Sequence, residues 1–301
     1  MYKSSRRIHT LLRRPFLTLT ASGLSSFRSS CSFRLSPQSY FAFSDFYSEE
    51  QVLRKLSPLS SVVTILGGGF TGDGRPFLVL ELLKSQNLRS AIGTTTCLRT
   101  RLSWSATVAG TLASLHAGVY TSGTSVLHRD IKPDNVGFCL ETGEARLLDF
   151  GLVTALRSGE SASGSGKTVA AVTTKGEKLY DATTCTGSIR YMSPEVALSR
   201  PYNALSEAYS FSVMLWQVVE RRVPFEGMNV GSMKSNVFVG GLRPEFKEAM
   251  WRDILEVKDM VERGWSADID ARPNLKTFEE ALTRARDRLP EGVGGWCCAA
   301  S

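Results

Sequence analysis

His128-Arg129-Asp130-Ile131-Lys132-Pro133-Asp134-Asn135, followed fourteen residues after Asn135 by Asp149-Phe150-Gly151, is the stretch that decides how this chain is read. Asp130 and Asn135 lie five apart on one loop, and Asp149 follows a strand. Upstream, the 48–56 stretch has a helical look, with Val52, Leu53 and Leu56 on one face. The apolar runs 62–66 and 77–83 suit buried strands, and the glycines from Gly67 to Gly74 are expected to turn between them. Downstream, after the short helix expected over 87–92, helical patterns cover 103–116, 206–220, 245–263 and 275–288. Between them, 158–186 is rich in Ser, Gly and Thr, long enough to predict a mobile functional loop. Strands early and helices late predict an α+β fold with a small antiparallel-sheet lobe and a larger helical lobe.

Composition narrows the function. At 301 residues the chain can bury one large core or two modest lobes. The formal charge of +7 is local: residues 1–44 hold seven bases and no acid, and the remainder balances 29 bases against 29 acids. The body is therefore neutral, with no basic, aromatic-interleaved stripe for nucleic acid. No apolar run approaches the roughly 20 residues of a membrane span. The basic, Ser-rich start, with Ile8, Leu11, Leu12 and Phe16, reads as an organelle transit peptide or as a disordered tail. The six cysteines show no CxxC spacing, which argues for free thiols in a reducing compartment. Cys298-Ala299-Ala300-Ser301 fits the C-a-a-X lipidation pattern, but a plain tail is preferred. Cytoplasm is the favoured location, with organelle import and a lipid anchor as alternatives.

A carboxylate that takes a hydroxyl proton, with hard oxygen ligands for Mg²⁺, is what phosphoryl transfer needs. The order and spacing of Asp130, Asn135 and Asp149 match the pattern H-R-D-x-x-x-x-N then D-F-G, and here the chain resembles the eukaryotic protein kinase family. Further pieces fall in order: Ser193-Pro194-Glu195 for Ala-Pro-Glu, Arg272 for the Arg that pairs with that Glu, and Tyr209-Ser210-Phe211 opening a hydrophobic helix. The resemblance covers about residues 46–288 and is of Ser/Thr type with a tyrosine-kinase-like flavour. It implies a two-lobed fold: N-terminal segment 1–45, partial N-lobe 46–84, C-lobe 85–288 and tail 289–301. It also implies ATP and Mg²⁺, and a protein substrate offering Ser or Thr.

By the same resemblance Asp130 would be the catalytic base and Lys132 would hold the transferring phosphate. Asn135 and Asp149 would bind Mg²⁺. Leu80 would gate the adenine pocket, and Glu81 and Leu83 would offer backbone groups to the base. His128 and Phe150 would pack in a hydrophobic spine with Leu53 and Ile65. Lys132 and Ser188 favour Ser/Thr substrates. An upstream kinase would act on Thr184, with Thr183 and Thr186 as alternatives and solvated hydroxyls as an equally good reading.

The pattern departs from the family upstream. A Gly-rich loop and a strand Lys paired with a helix Glu are expected. Spacing makes that Glu Glu49, yet no Lys occurs between Lys3 and Lys55. Arg34, fifteen residues before Glu49, is the remaining partner, although its planar fork replaces a point charge poorly. The run Gly67–Gly72 fits GxGxxG with Lys84 after it, but 43 residues before His128 cannot hold the missing elements. The run Gly164–Thr168 lacks the first Gly of a Walker A loop. Gly137 replaces an apolar residue under adenine, and Glu207 replaces the usual helix Asp. The readings left open are an active kinase, a pseudokinase or scaffold, and a piece of a longer kinase.

Overall fold

The computed structural model describes residues 9–11, 49–95, 97–121, 123–156, 169–181 and 186–290. Arg34, Thr183, Thr184, the run Gly164–Thr168, most of the basic N-terminal segment and the Cys297–Ser301 tail lie outside them.

The first lobe is a three-stranded antiparallel sheet of order β1-β3-β2, built from β1 (His9–Leu11), β2 (Ile65–Phe70) and β3 (Pro76–Leu80). Helix α1 (residues 49–56) contributes buried Leu53 and Leu56, with Val52 packed against the same core, as its periodicity predicts. The expected glycine turn is corrected: Gly67, Gly68 and Gly69 lie inside β2, and the register shifts between Ile65 and Gly67. Glycine in a strand commonly marks such a bulge. The turn itself is Thr71 to Arg75, closed by Thr71 N–H to Arg75 O at 2.9 Å.

The second lobe is helical. Leu205–Glu220 forms α5, and all but two of its residues are buried, as expected for a helix apolar on every face. Around it pack α3 (Leu98–His116), α7 (Leu255–Gly264) and α8 (Leu275–Arg288), and the short α4 (Pro194–Ala197) and α6 (Val230–Ser232) flank it in sequence. Asn274 caps α8 by accepting the Thr277 N–H at 2.9 Å, and Phe278 meets Phe211 of α5 edge-on at 5.2 Å between ring centres. The short α2 (Leu88–Thr94) is capped by Asn87, which accepts the Ser90 N–H at 3.1 Å.

Two expected helices differ. α3 begins at Leu98, five residues earlier than predicted, because Leu98 and Leu102 both join the core. The 245–263 pattern splits into a 3₁₀ turn, Ala249–Ile254, and α7.

Small β units lie between the lobes. β4 (Ser125–Leu127) pairs with β7 (Thr154–Leu156), and β5 (Val136–Phe138) pairs with β6 (Ala145–Leu147). Leu147 N–H bonds to Ser61 O at 2.8 Å, Val63 N–H to Leu147 O at 3.0 Å and Lys84 N–H to Phe138 O at 2.9 Å. These bonds stitch the sheet lobe to the β5–β6 pair that follows the loop carrying Asp130. The 158–186 stretch also differs from the expected loop: its described part is a hairpin of β8 (Val169–Val172) and β9 (Lys178–Tyr180).

Candidate functional site

The 128–135 loop runs from β4 to a 3₁₀ turn, Pro133–Asn135, and so into β5. Arg129 has φ 66, a left-handed conformation that costs a residue with a side chain roughly 1–2 kcal/mol. What holds it is Glu207 in the first turn of α5, buried, whose Oε1 accepts the Arg129 N–H at 2.6 Å. The Glu207 Oε2 pairs with His116 Nε2 at 2.6 Å. Burial pushes the Glu207 carboxyl up, but the His116 hydrogen bond and charge and the Arg129 N–H outweigh it, and it sits below its ordinary value. His116 is a partner that sequence reading missed; nothing in the spacing from 116 to 207 points to it.

His128 is fully buried. Its Nε2–H donates to Leu148 O at 2.7 Å, and its Nδ1 accepts the Asp130 N–H at 3.3 Å. The ring meets Phe150 edge-on at 4.9 Å, and Leu53, Ile65 and Phe150 belong to the same core. His128 is therefore packed and fully bonded.

Asp130 is the centre of the cluster. Its Oδ2 accepts from Lys132 Nζ at 2.6 Å and Asn135 Nδ2 at 3.0 Å, and its Oδ1 accepts the Ser188 N–H at 2.8 Å. Lys132 Nζ also donates to Ser188 Oγ at 2.8 Å. Burial raises the Asp130 carboxyl, but the bonds from Lys132, Ser188 and Asn135, with the Lys132 charge, hold it below its ordinary value. Two ionised oxygens offer about four acceptor positions. Among the described residues three are taken, so the open one lies on Oδ1. Gly187, with φ 104, sets Ser188 in place, and a Cβ there would meet Arg129 O at 2.3 Å.

Asn135 and Asp149 are brought together by the β5–β6 ladder. Val136 registers with Leu147, and Leu148 N–H bonds to Asn135 O at 2.9 Å. Asn135 spends its amide hydrogens on Asp130, leaving Oδ1 without a hydrogen bond among the described residues. Asp149 has φ 59, and its Oδ1 accepts the Gly151 N–H at 3.4 Å. An amide oxygen and a carboxylate fit a Mg²⁺ that draws its other ligands from water and substrate phosphates. Among the described residues no group of three or more His, Cys, Asp or Glu could form an all-protein cage.

Leu80, buried, ends β3. Glu81 gives its N–H to Thr64 O at 2.9 Å, and its Oε1 takes the Thr64 N–H at 2.8 Å, while its carbonyl makes no hydrogen bond among the described residues. Leu83 N–H has no partner among the described residues. Gly137 leaves no hollow: a Cβ there would meet Leu83 Cδ1 at 2.8 Å and Leu148 Cδ1 at 3.1 Å. Leu83 and Leu148 thus fill the space that a larger residue would take. Glu49 is half-buried on α1, and the pairing expected with Arg34 lies outside the described residues.

The remaining expected pair is present. Arg272 grips Glu195 through two bonds of 2.7 and 2.9 Å, with both side chains buried. Burial raises the Glu195 carboxyl, and the Arg272 charge and hydrogen bond more than reverse this.

A small sheet lobe, a helical lobe and a carboxylate, lysine and amide on one loop between them define a phosphotransferase fold. The protein kinase domain model matches residues 35–283, and the chain belongs to the protein kinase family. It is 29% identical over 171 residues to the serine/threonine-protein kinase mos of Patiria pectinifera, covering 56% of this chain and 43% of that one. It is 27% identical over 247 residues to serine/threonine-protein kinase 12 of Arabidopsis thaliana, covering 81% and 48%. A putative mitogen-activated protein kinase kinase kinase 7-like protein of Drosophila melanogaster is 25% identical over 232 residues, covering 74% and 51%. The chain spans about half the length, or less, of these relatives. No helix among the described residues is long and apolar enough to cross a membrane.

Proposed function

We propose that the chain is a protein serine/threonine kinase that moves the γ-phosphoryl group of ATP to a Ser or Thr hydroxyl of a protein. The observation that carries this reading is the Asp130 cluster, in which one acceptor position on Oδ1 stays open among the described residues, beside Lys132 and Ser188. Asp130 takes the hydroxyl proton there, and its lowered pKa keeps it ionised at neutral pH. Lys132 places its charge beside the transferring group. Asn135 and Asp149 would hold Mg²⁺, which would supply neutralisation of phosphate charge. The adenine is bound by the Glu81 carbonyl and the Leu83 N–H, with Leu80, Leu83 and Leu148 as its apolar walls. Arg34 paired with Glu49 is our candidate for the missing lysine, and Thr184 our candidate for the site of an upstream kinase.

A second reading, a pseudokinase that binds without transferring, is favoured by one observation: no Lys lies between Lys3 and Lys55. Radiolabelled ATP with Mg²⁺ and a generic acceptor such as casein separates the two. We expect transfer that falls roughly 10²- to 10⁴-fold in Asp130→Asn. Absence of transfer, together with a thermal shift by millimolar ATP, would establish the pseudokinase instead.

A further inference from the structure

Ser188 gives its N–H to Asp130 and accepts from Lys132. A hydroxyl that reaches the open position on Asp130 Oδ1 therefore brings its own chain alongside the residues that follow Ser188. Arg190 lies two positions on, at most about 7 Å along an extended backbone. Its Nη1 donates to Pro224 O at 3.0 Å and to Phe225 O at 2.6 Å. Phe225, buried, holds φ 52, and a bulky side chain stays in the left-handed region only when its surroundings restrain it. The two bonds from Arg190 are one such restraint.

Those bonds use one end of the guanidinium. Nη1 carries two hydrogens, and two carbonyls take them. Nε and Nη2 make no hydrogen bond among the described residues, and neither is sealed from solvent. They form the other edge of the planar group, whose parallel N–H donors match the two oxygens of a carboxylate. Arg190 is thus anchored and oriented, with its recognition edge open.

The charges nearby leave that edge without a counter-ion. Tyr191, which donates to Gln217 Oε1, stands among the charges of Asp130, Asp134, Arg89 and Arg190. Lys132 answers Asp130 at 2.6 Å, Arg89 answers Asp134 at 3.2 Å, and Gln217 is neutral. In the loop after α5, Arg222 pairs with Glu220 at 2.6 Å and Arg221 approaches Glu248 at 3.9 Å. Glu226, next to Phe225, is exposed and makes no ion pair among the described residues. Arg190 pairs with no carboxylate among them either. A basic substrate side chain would find Asp134 already paired; an acidic one would find the open fork.

We propose that Arg190 selects the protein substrate by holding an anionic side chain, a carboxylate or a phosphate, within about three residues of the Ser or Thr acceptor. This rests on the kinase reading above.

Two measurements on the full chain test this. First, peptides with one Ser or Thr acceptor and each neighbouring position varied are incubated with the chain, ATP and Mg²⁺. Asp or Glu at one position should raise kcat/KM roughly ten- to a hundredfold over Ala, as a hydrogen bond to a charged group would. Phosphoserine at that position is a second arm. Preference for it over Asp assigns the fork to proteins already phosphorylated, and the reverse assigns it to unmodified acidic segments. Arg190→Met should bring the acidic-to-Ala ratio close to one. Arg190→Lys, which can still anchor the two carbonyls but lacks the fork, should lower the ratio even if the Met variant fails to fold. A flat profile in the wild type overturns the proposal, and so does a loss in the variants that falls equally on acidic and Ala peptides, the mark of an anchor alone. Second, the Asp130→Asn chain is titrated into labelled acidic and Ala peptides and followed by fluorescence anisotropy. Tighter binding of the acidic peptide, lost when Arg190→Lys is added, supports the fork; equal binding, or none, overturns it. If no peptide is phosphorylated, the kinase reading fails, while the binding result still decides the role of Arg190.

Discussion

Gly187 offers the sharpest test of how the site is built. Its φ of 104 is a conformation that a side chain resists, and its Cβ would sit 2.3 Å from Arg129 O, more than 1 Å inside ordinary contact. In Gly187→Ala the φ strain costs roughly 1–2 kcal/mol, and the overlap roughly 1–3 kcal/mol more. A total of about 2–5 kcal/mol should lower Tm by roughly 4–20 °C, at 2–4 °C per kcal/mol for a chain of this size. Activity should fall further than stability suggests. Ser188 follows directly, and its N–H holds Asp130 Oδ1 at 2.8 Å. A displacement of ~1 Å at such a point costs roughly 10²-fold in kcat/KM. Gly74→Ala is the control: its φ is 79, but a Cβ there meets nothing within 4 Å. It should lose only the roughly 1–2 kcal/mol of backbone strain and keep its kcat/KM. Calorimetry and steady-state kinetics on both variants decide the matter. If Gly187→Ala matches Gly74→Ala in both, the close approach to Arg129 has no bearing on the site.

Arg272→Met leaves Glu195 buried without its partner, and such breaks cost about 3–5 kcal/mol, while Glu195→Met/Arg272→Met together should cost far less, as a calorimetric double-mutant cycle will read. Because the folded Glu195 pKa lies below its ordinary value of 4.5, its contribution is present above that value. It is lost as pH falls through the lower folded pKa, so the Tm gap between wild type and Arg272→Met should narrow below pH 4.5. Glu207→Ala strips a buried acceptor from the Arg129 N–H and His116, and should destabilise by roughly 2–4 kcal/mol, whereas Glu207→Gln keeps one acceptor and should cost about 1 kcal/mol in urea unfolding. Gly137→Val has to push Leu83 and Leu148 aside, costing roughly 1–3 kcal/mol, and should weaken ATP binding measured by calorimetric titration.

Much of the catalytic loop was legible because its chemistry is local. Asp130, Lys132 and Asn135 fall within six residues, and the bonds among them follow from a short turn. The Glu195–Arg272 pair was legible through its motifs despite the distance between them in sequence. What stayed hidden depends on tertiary placement. His116 meets Glu207 only because α3 ends where α5 begins. The closeness of Gly187 to Arg129 is a contact between two loops that no periodicity records. The glycine run in β2 was misplaced because glycine permits both turn and bulge, and the partner strand chose the bulge. The hairpin at 169–180 was missed because its strands, four and three residues long, are too short to stand out from a Ser- and Gly-rich stretch.

Helix α5 shows almost nothing of itself to solvent. A helix enclosed in this way offers little surface, Leu205 and Ser210 alone being less than buried, with which to bind a partner or receive a modification. It can sense events elsewhere only through what touches it, and at its first turn that contact is Glu207, joined at once to His116 and to the Arg129 backbone. A disturbance of the surface beside His116 therefore has a short mechanical route to the residue before Asp130. This well-sheltered element is in this sense a relay, connecting an outer face to the Asp130 carboxylate through its first turn.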